Sequence, residues 1–166
     1  MAKPDSDLTV TPSLIDRLID REPELAADPY ITRAQSVRHI KTAVRRDLEW
    51  LLNTRRNPFA AGESLPELAQ SLYNYGLPDF SSLSIHSSRD RSQLAAQLER
   101  TLQIFEPRLK NVRVNFVEKP QGERSRILHF QIEGMLQMDP APERIAFDTT
   151  LQLSSGEYQV RGERGA

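Results

Sequence analysis

Cysteine is absent from the 166 residues. A disulfide scaffold, a zinc–thiolate centre, an iron–sulfur cluster and a thiol nucleophile are excluded with it. The absence also fits a reducing compartment. Glycine is scarce: its 7 residues stand apart, with no GxGxxG and no phosphate loop, so nucleotide binding has no support. His39, His86 and His129 are scattered outside any metal-ligating spacing, and no serine sits in a GxSxG elbow. No metal, no cofactor and no catalytic residue is expected. An excess of basic charge is missing too. Lys+Arg is 22 and Asp+Glu 23, a net charge of -1, which argues against a protein held by phosphates and against a nucleic-acid partner. No stretch approaches ~18 uninterrupted apolar residues, so no membrane insertion is expected. The first residues lack the ~7–15-residue apolar run of a secretory signal, which makes the cytoplasm the default location.

Apolar residues make up 38% of the chain, against about 45–50% on average. That implies a thin core with much polar surface rather than wholesale disorder. The organisation reads as one domain over residues 11–161, with flexible tails at 1–10 and 162–166. Thr11-Pro12 looks like an N-cap and first helical position, followed by the stripe Leu14, Ile15, Leu18 and Ile19. Glu22-Pro23 stops that helix and opens a connector to Pro29. The longest helix is predicted over Ser36–Asn53, because Val37, Ile40, Val44, Leu48 and Leu51 recur at three and four. Trp50, Arg38, Lys41, Arg45 and Arg46 fall off that stripe. A third helix is predicted from a Ser64 cap, with Leu68 and Leu72 as its core face and Gly76 as a left-handed terminator. A fourth begins near Ser88, buries Leu94, Leu98, Leu102 and Phe105, and ends at Glu106-Pro107.

The period then changes from 3.6 to 2. Val112, Val114 and Phe116 alternate with polar residues, Pro120-Gln121-Gly122 turns, and Leu128, Phe130 and Ile132 alternate again. Ile145, Phe147, Thr149, Leu151 and Leu153 form the next strand. Ser155-Gly156 turns into a last one with Tyr158 and Val160. The fold class is therefore α+β, with N-terminal helices packed on one face of a C-terminal antiparallel sheet of about four strands. The other face is left to water or a partner. Unpaired edges between residues 110 and 161 suit the sheet to adding strands from a neighbour.

Two places stand out as candidate interfaces. The segment Arg33–Arg56 holds seven Arg/Lys against Asp47 and Glu49, and off-stripe Trp50 beside Arg46 has the composition of an interface hot spot. The competing reading has Trp50 covered by the N-terminal segment. Glu106-Pro107-Arg108 joins the last helix to the first strand across a hard helix stop. Its charges either hold a partner helix or are two exposed charges at a plain terminator. The docking reading expects truncation of Glu106 or Arg108 to abolish assembly with partners while leaving melting unchanged; unfolding of those variants would instead make the motif a structural joint.

Several segments together resemble a known family. Ser13 to Leu18, Ser36 to Arg55, Tyr75-Gly76-Leu77-Pro78-Asp79-Phe80 and Phe147-Asp148-Thr149 are similar to the type VI secretion baseplate subunit TssE. Glu106-Pro107-Arg108 matches the Glu-Pro-Arg signature of the wider family, which includes a baseplate wedge protein of contractile-tail phages. The resemblance implies a structural protein rather than an enzyme, although the family is often labelled lysozyme-like. It implies a place in the baseplate wedge at the cytoplasmic face of the inner membrane. The implied contacts are the wedge proteins TssF and TssG, with TssK a further candidate, and the sheath proteins TssB and TssC, whose polymerisation it would template. Glu106, Pro107 and Arg108 carry over as a partner-docking joint, beside Arg46 and Trp50. The alternatives are a peptidoglycan hydrolase, which needs two carboxylates across a cleft, and a generic protein-binding adaptor.

Overall fold

A computed structural model describes residues 12–19, 23–24, 32–59, 65–80, 87–117, 127–139 and 141–163. The expected tail at 1–10, Ser64, His86 and the Pro120–Gly122 turn lie outside the described residues. The first helix is shorter than expected: Ser13 rather than Thr11 caps it, so Pro12 precedes the helix, and it ends at Leu18 with Ile19 as its C-cap, before Glu22-Pro23 is reached. The elements are helices α1 (Leu14–Leu18), α2 (Arg33–Asn53) and α3 (Ser88–Phe105), then strands β1 (Leu109–Phe116), β2 (Ile127–Leu136), β3 (Glu143–Gln152) and β4 (Glu157–Glu163). The strands form one antiparallel sheet in chain order. The fold is α+β, as the change of period predicts. β4 runs two residues past the expected domain boundary at 161.

α2 starts earlier than its apolar stripe alone implies. Thr32 and Gln35 form a capping box in which each side chain accepts from the other's backbone N–H. Ile40, Val44, Leu48, Leu51 and Leu52 are buried, while Val37 is only half-buried. Leu94, Leu98 and Leu102 of α3 join them over the apolar face of the sheet, where Phe130, Ile132, Ile145 and Phe147 are buried. Lys110, Arg113, Asn115 and Arg144 occupy the opposite face and are exposed. Helices therefore cover one face only.

The third helix does not form as expected. Two 3-10 turns, Pro66–Gln70 and Leu72–Asn74, stand in its place. Ser71 breaks them apart: its hydroxyl accepts from the Tyr73 N–H and donates to the Leu68 carbonyl, which the Asn74 amide also caps. Side chains competing for backbone groups favour such turns over a helix. Leu72, expected in the core, is 83% exposed. Gly76 does adopt a positive φ of 101°, but its reason is a close approach. The Leu77 N–H reaches the Thr54 carbonyl and the Arg56 N–H the Leu77 carbonyl, both at 2.8 Å. A Cβ on Gly76 would lie 2.3 Å from the Thr54 oxygen.

β1 holds a bulge that simple alternation misses. Leu109 and Val112 are both buried although three residues apart. Asn111, at φ 54°, takes up the extra residue where the register shifts between Lys110 and Arg113. Leu153 falls in the turn rather than in β3, where the Gly156 N–H closes onto the Gln152 carbonyl at 2.8 Å.

Candidate functional site

The joint between α3 and β1 is built from its backbone outward. The Glu106 N–H closes α3 onto the Leu102 carbonyl at 2.9 Å. Pro107 prevents another turn. The Arg108 carbonyl accepts from the Gln137 N–H at 2.8 Å, which seats the joint against the end of β2. The Glu106 carboxylate turns back and receives Arg108 in a fork. Oε1 accepts from Nε at 2.6 Å and from the Arg108 N–H at 3.3 Å, and Oε2 accepts from Nη2.

These are not two exposed charges. Glu106 is 3% exposed, so the expectation that its truncation leaves melting untouched does not hold. A carboxylate taken from water needs its partner, and removing either one strands the other.

The fork is the buried end of a longer ladder. Arg108 Nη2 also donates to Asp47 Oδ2 at 2.6 Å. Asp47 Oδ1 accepts from Arg46 Nε and Nη2 at 2.9 and 2.8 Å. Arg46 Nη1 donates to Asp16 Oδ1 at 2.8 Å. The Ser13 Oγ, the N-cap of α1, accepts from the Asp16 N–H and donates to its carboxylate. Charges of alternating sign thus tie α3, β1, α2 and α1 together. Burial works against the charged form of Arg108, but Glu106 and Asp47 outweigh it and raise its pKa. Asp16 and Asp47 raise that of Arg46 in the same way. Burial alone would raise Asp16, yet the Ser13 hydroxyl and the Arg46 guanidinium hold its carboxyl below the ordinary value.

The ladder lines a groove of about 440 Å³. Arg46, Trp50, Glu106, Pro107 and Arg108, the residues that sequence reasoning selects in two separate places, all border it. Apolar walls come from Leu51, Tyr75 and Phe105, the two rings meeting edge to face at 5.3 Å. Burial, with the charges of Asp47 and Glu106, raises the Tyr75 hydroxyl pKa. Trp50 is 55% exposed, and the Arg46 guanidinium lies 5.0 Å from its ring centroid. Of the described N-terminal residues, Ser13, Leu14 and Ile15 border the groove, and they leave the indole exposed.

Sequence reasoning misses Asp16, Asp47, Tyr75 and Phe105 as members of the site. Nothing in linear spacing joins positions 16, 47, 75 and 105; only the fold does. Among the described residues, no group of His, Cys, Asp or Glu is arranged to hold a metal ion, and no helix is long and apolar enough to cross a membrane.

Fold and ladder together define a small α+β domain organised around a charged helix-to-strand joint. Residues 38–141 match the family model of the baseplate wedge protein gp25, and the chain belongs to that family. The matched span runs from α2 through β2 and contains the Glu-Pro-Arg joint, Arg46 and Trp50, while α1, β3 and β4 lie beyond it. Membership supports a structural role in a baseplate, in association with other baseplate proteins. No curated protein matches the chain.

Proposed function

We propose that the chain is a structural baseplate component of a type VI secretion system that docks wedge proteins through the groove and templates the contractile sheath through its sheet. The observation that carries this reading is the convergence of Trp50, Arg46 and the Glu-Pro-Arg joint on one groove. An exposed indole held by a guanidinium, above a rigid charged floor, is the composition of an interface hot spot. TssF and TssG, with TssK as a further candidate, are the partners proposed for the groove. TssB and TssC are those proposed for the sheet, at the cytoplasmic face of the inner membrane. Arg108 engages both Asp47 and Glu106. That arrangement holds elements together rather than straddling a glycosidic bond, and it favours a non-enzymatic role over the hydrolase reading.

Co-purification with the wedge proteins tests the proposal. Trp50→Ala is expected to weaken their capture by about 30-fold, the equivalent of about 2 kcal/mol for a hot-spot residue. Its melting should stay within about 0.5 kcal/mol of the parent, because the indole is exposed. Enrichment of neither wedge nor sheath proteins by the parent chain points to a generic adaptor and overturns the reading. So does clearing of a peptidoglycan gel by pure protein.

A further inference from the structure

Strand addition is part of the proposed function, and the inference below rests on it. The two outer strands, β1 and β4, do not present bare edges, because helix side chains occupy both. On β4, the Tyr158 N–H donates to Asn53 Oδ1 at 2.9 Å and its carbonyl accepts from Asn53 Nδ2 at 2.8 Å. Arg45 Nη1 donates to the Val160 carbonyl at 3.3 Å. Asn53 imitates a neighbouring strand, and both guards belong to α2, whose Leu48, Leu51 and Leu52 sit in the core. Opening that edge means moving the helix.

The β1 edge is closed differently. The Val117 N–H pairs inward with the His129 carbonyl at 2.9 Å, so the alternation of an antiparallel ladder aims the Val114 and Phe116 amides outward. The Val114 N–H donates to Glu99 Oε1 of α3 at 2.9 Å. The other Glu99 oxygen lies 3.6 Å from Arg113 Nη1, an exposed side chain. A rotation about the Glu99 side-chain bonds frees the amide and leaves the α3 backbone in place. It also removes a carboxylate from Arg113. The solvent-side residues of β1 are then Lys110, Asn111, Arg113 and Asn115, two cations and no acid.

We propose that β1 is the receiving edge, that Glu99 is a displaceable guard on its Val114 amide, and that the segment admitted is an extended polypeptide with acidic side chains facing Lys110 and Arg113. The guard keeps the edge from pairing indiscriminately. An incoming strand replaces the carboxylate with a backbone carbonyl and restores negative charge from its own side chains.

The test uses the full chain, an eight-residue peptide of alternating valine and glutamate, its valine–lysine counterpart, and amide exchange resolved by residue. In the free chain, Glu99→Ala is expected to speed exchange at Val114. The glutamate peptide should slow Val114 and Phe116 and leave Tyr158 unchanged, and the lysine peptide should not. Glu99→Ala should tighten glutamate-peptide binding about tenfold, the worth of one charge-assisted hydrogen bond that no longer has to be broken. Glu99→Gln keeps the shape and an acceptor and should tighten it less. Protection that moves to Tyr158 overturns the choice of edge and leaves strand addition standing; protection at neither edge overturns both. Equal binding by the lysine peptide, or unchanged affinity in both Glu99 variants, overturns the guard and the acidic segment.

Discussion

Helices α1 and α2 meet across the ladder with the same apolar spacing and opposite surroundings. In α2, Val44 and Leu48 are fully buried and a capping box fixes the first turn. In α1, Leu14, Ile15 and Leu18 are exposed, Leu18 to 77%, as is Ile19 at the C-cap. Burial holds α2 at roughly 1.5–3 kcal/mol per large side chain. What fastens α1 is polar, through Asp16 to Arg46. An apolar stripe therefore announces a helix and the face it offers, but not what covers that face. The family match begins at residue 38, so most of the covered helix lies within it and the uncovered one outside. Elements fixed mainly by a few polar contacts open at far lower cost than core elements do.

The contrast breaks most severely where the ladder is buried. Glu106→Ala leaves the half-buried Arg108 with Asp47 as its remaining anion and unties α3 from β1. A loss of about 3–4 kcal/mol is expected, or about 6–15 °C in Tm for a domain of this size. Thermal unfolding followed by circular dichroism measures it. Unchanged melting would show that the fork contributes nothing to the fold and that the joint serves partners alone.

Gly76→Ala comes next. It strikes the covered side of the comparison, where the loop locks onto the end of α2. A left-handed φ costs an alanine about 1–2 kcal/mol, and contact with the Thr54 oxygen adds to that. A total of about 2–3 kcal/mol is expected from urea unfolding at an unchanged m value. A loss below about 0.5 kcal/mol would mean that the loop relaxes and does not lock α2.

Much of this architecture was legible in the residues. The α2 and α3 stripes and the period-2 runs place the core correctly, because burial imposes those periods directly. The phase of Trp50 places it off the core stripe for the same reason, but it does not decide between an exposed indole and one covered by the N-terminal segment. The Asn111 bulge was not legible, since one extra residue in a strand leaves no mark on composition. The failed third helix was decided by Ser71 and Asn74 bonding to nearby backbone, a local competition that apolar spacing ignores. The Glu-Pro-Arg joint was legible as a motif, but its burial was not. Asp47 and Asp16 reach it only after α2 and α1 are in place. The edge guards escaped for a similar reason: Asn53 and Glu99 look like ordinary polar helix residues until the sheet stands beside them.

The smallest expected effect concerns α1, and it carries a definite sign with pH. The folded Asp16 pKa lies below its unfolded value of about 3.9. The bridge to Arg46 therefore contributes fully above about pH 5 and is lost as pH falls through the folded value. Arg46 keeps its charge throughout, so the loss belongs to Asp16. Asp16→Asn should reproduce it at neutral pH, with a cost of about 0–1 kcal/mol that barely moves the global melt. The local readout is sharper. Arg46 loses one of its two carboxylates and its hold on Trp50 slackens, so indole fluorescence should change in the parent as pH falls below the ordinary aspartate value of about 3.9 and stay flat in Asp16→Asn. Tryptic cleavage after Arg17 should quicken in that variant at neutral pH. An identical fluorescence titration in parent and variant would show that something other than the ladder fastens α1, and the contrast between the two helices would lose its physical basis.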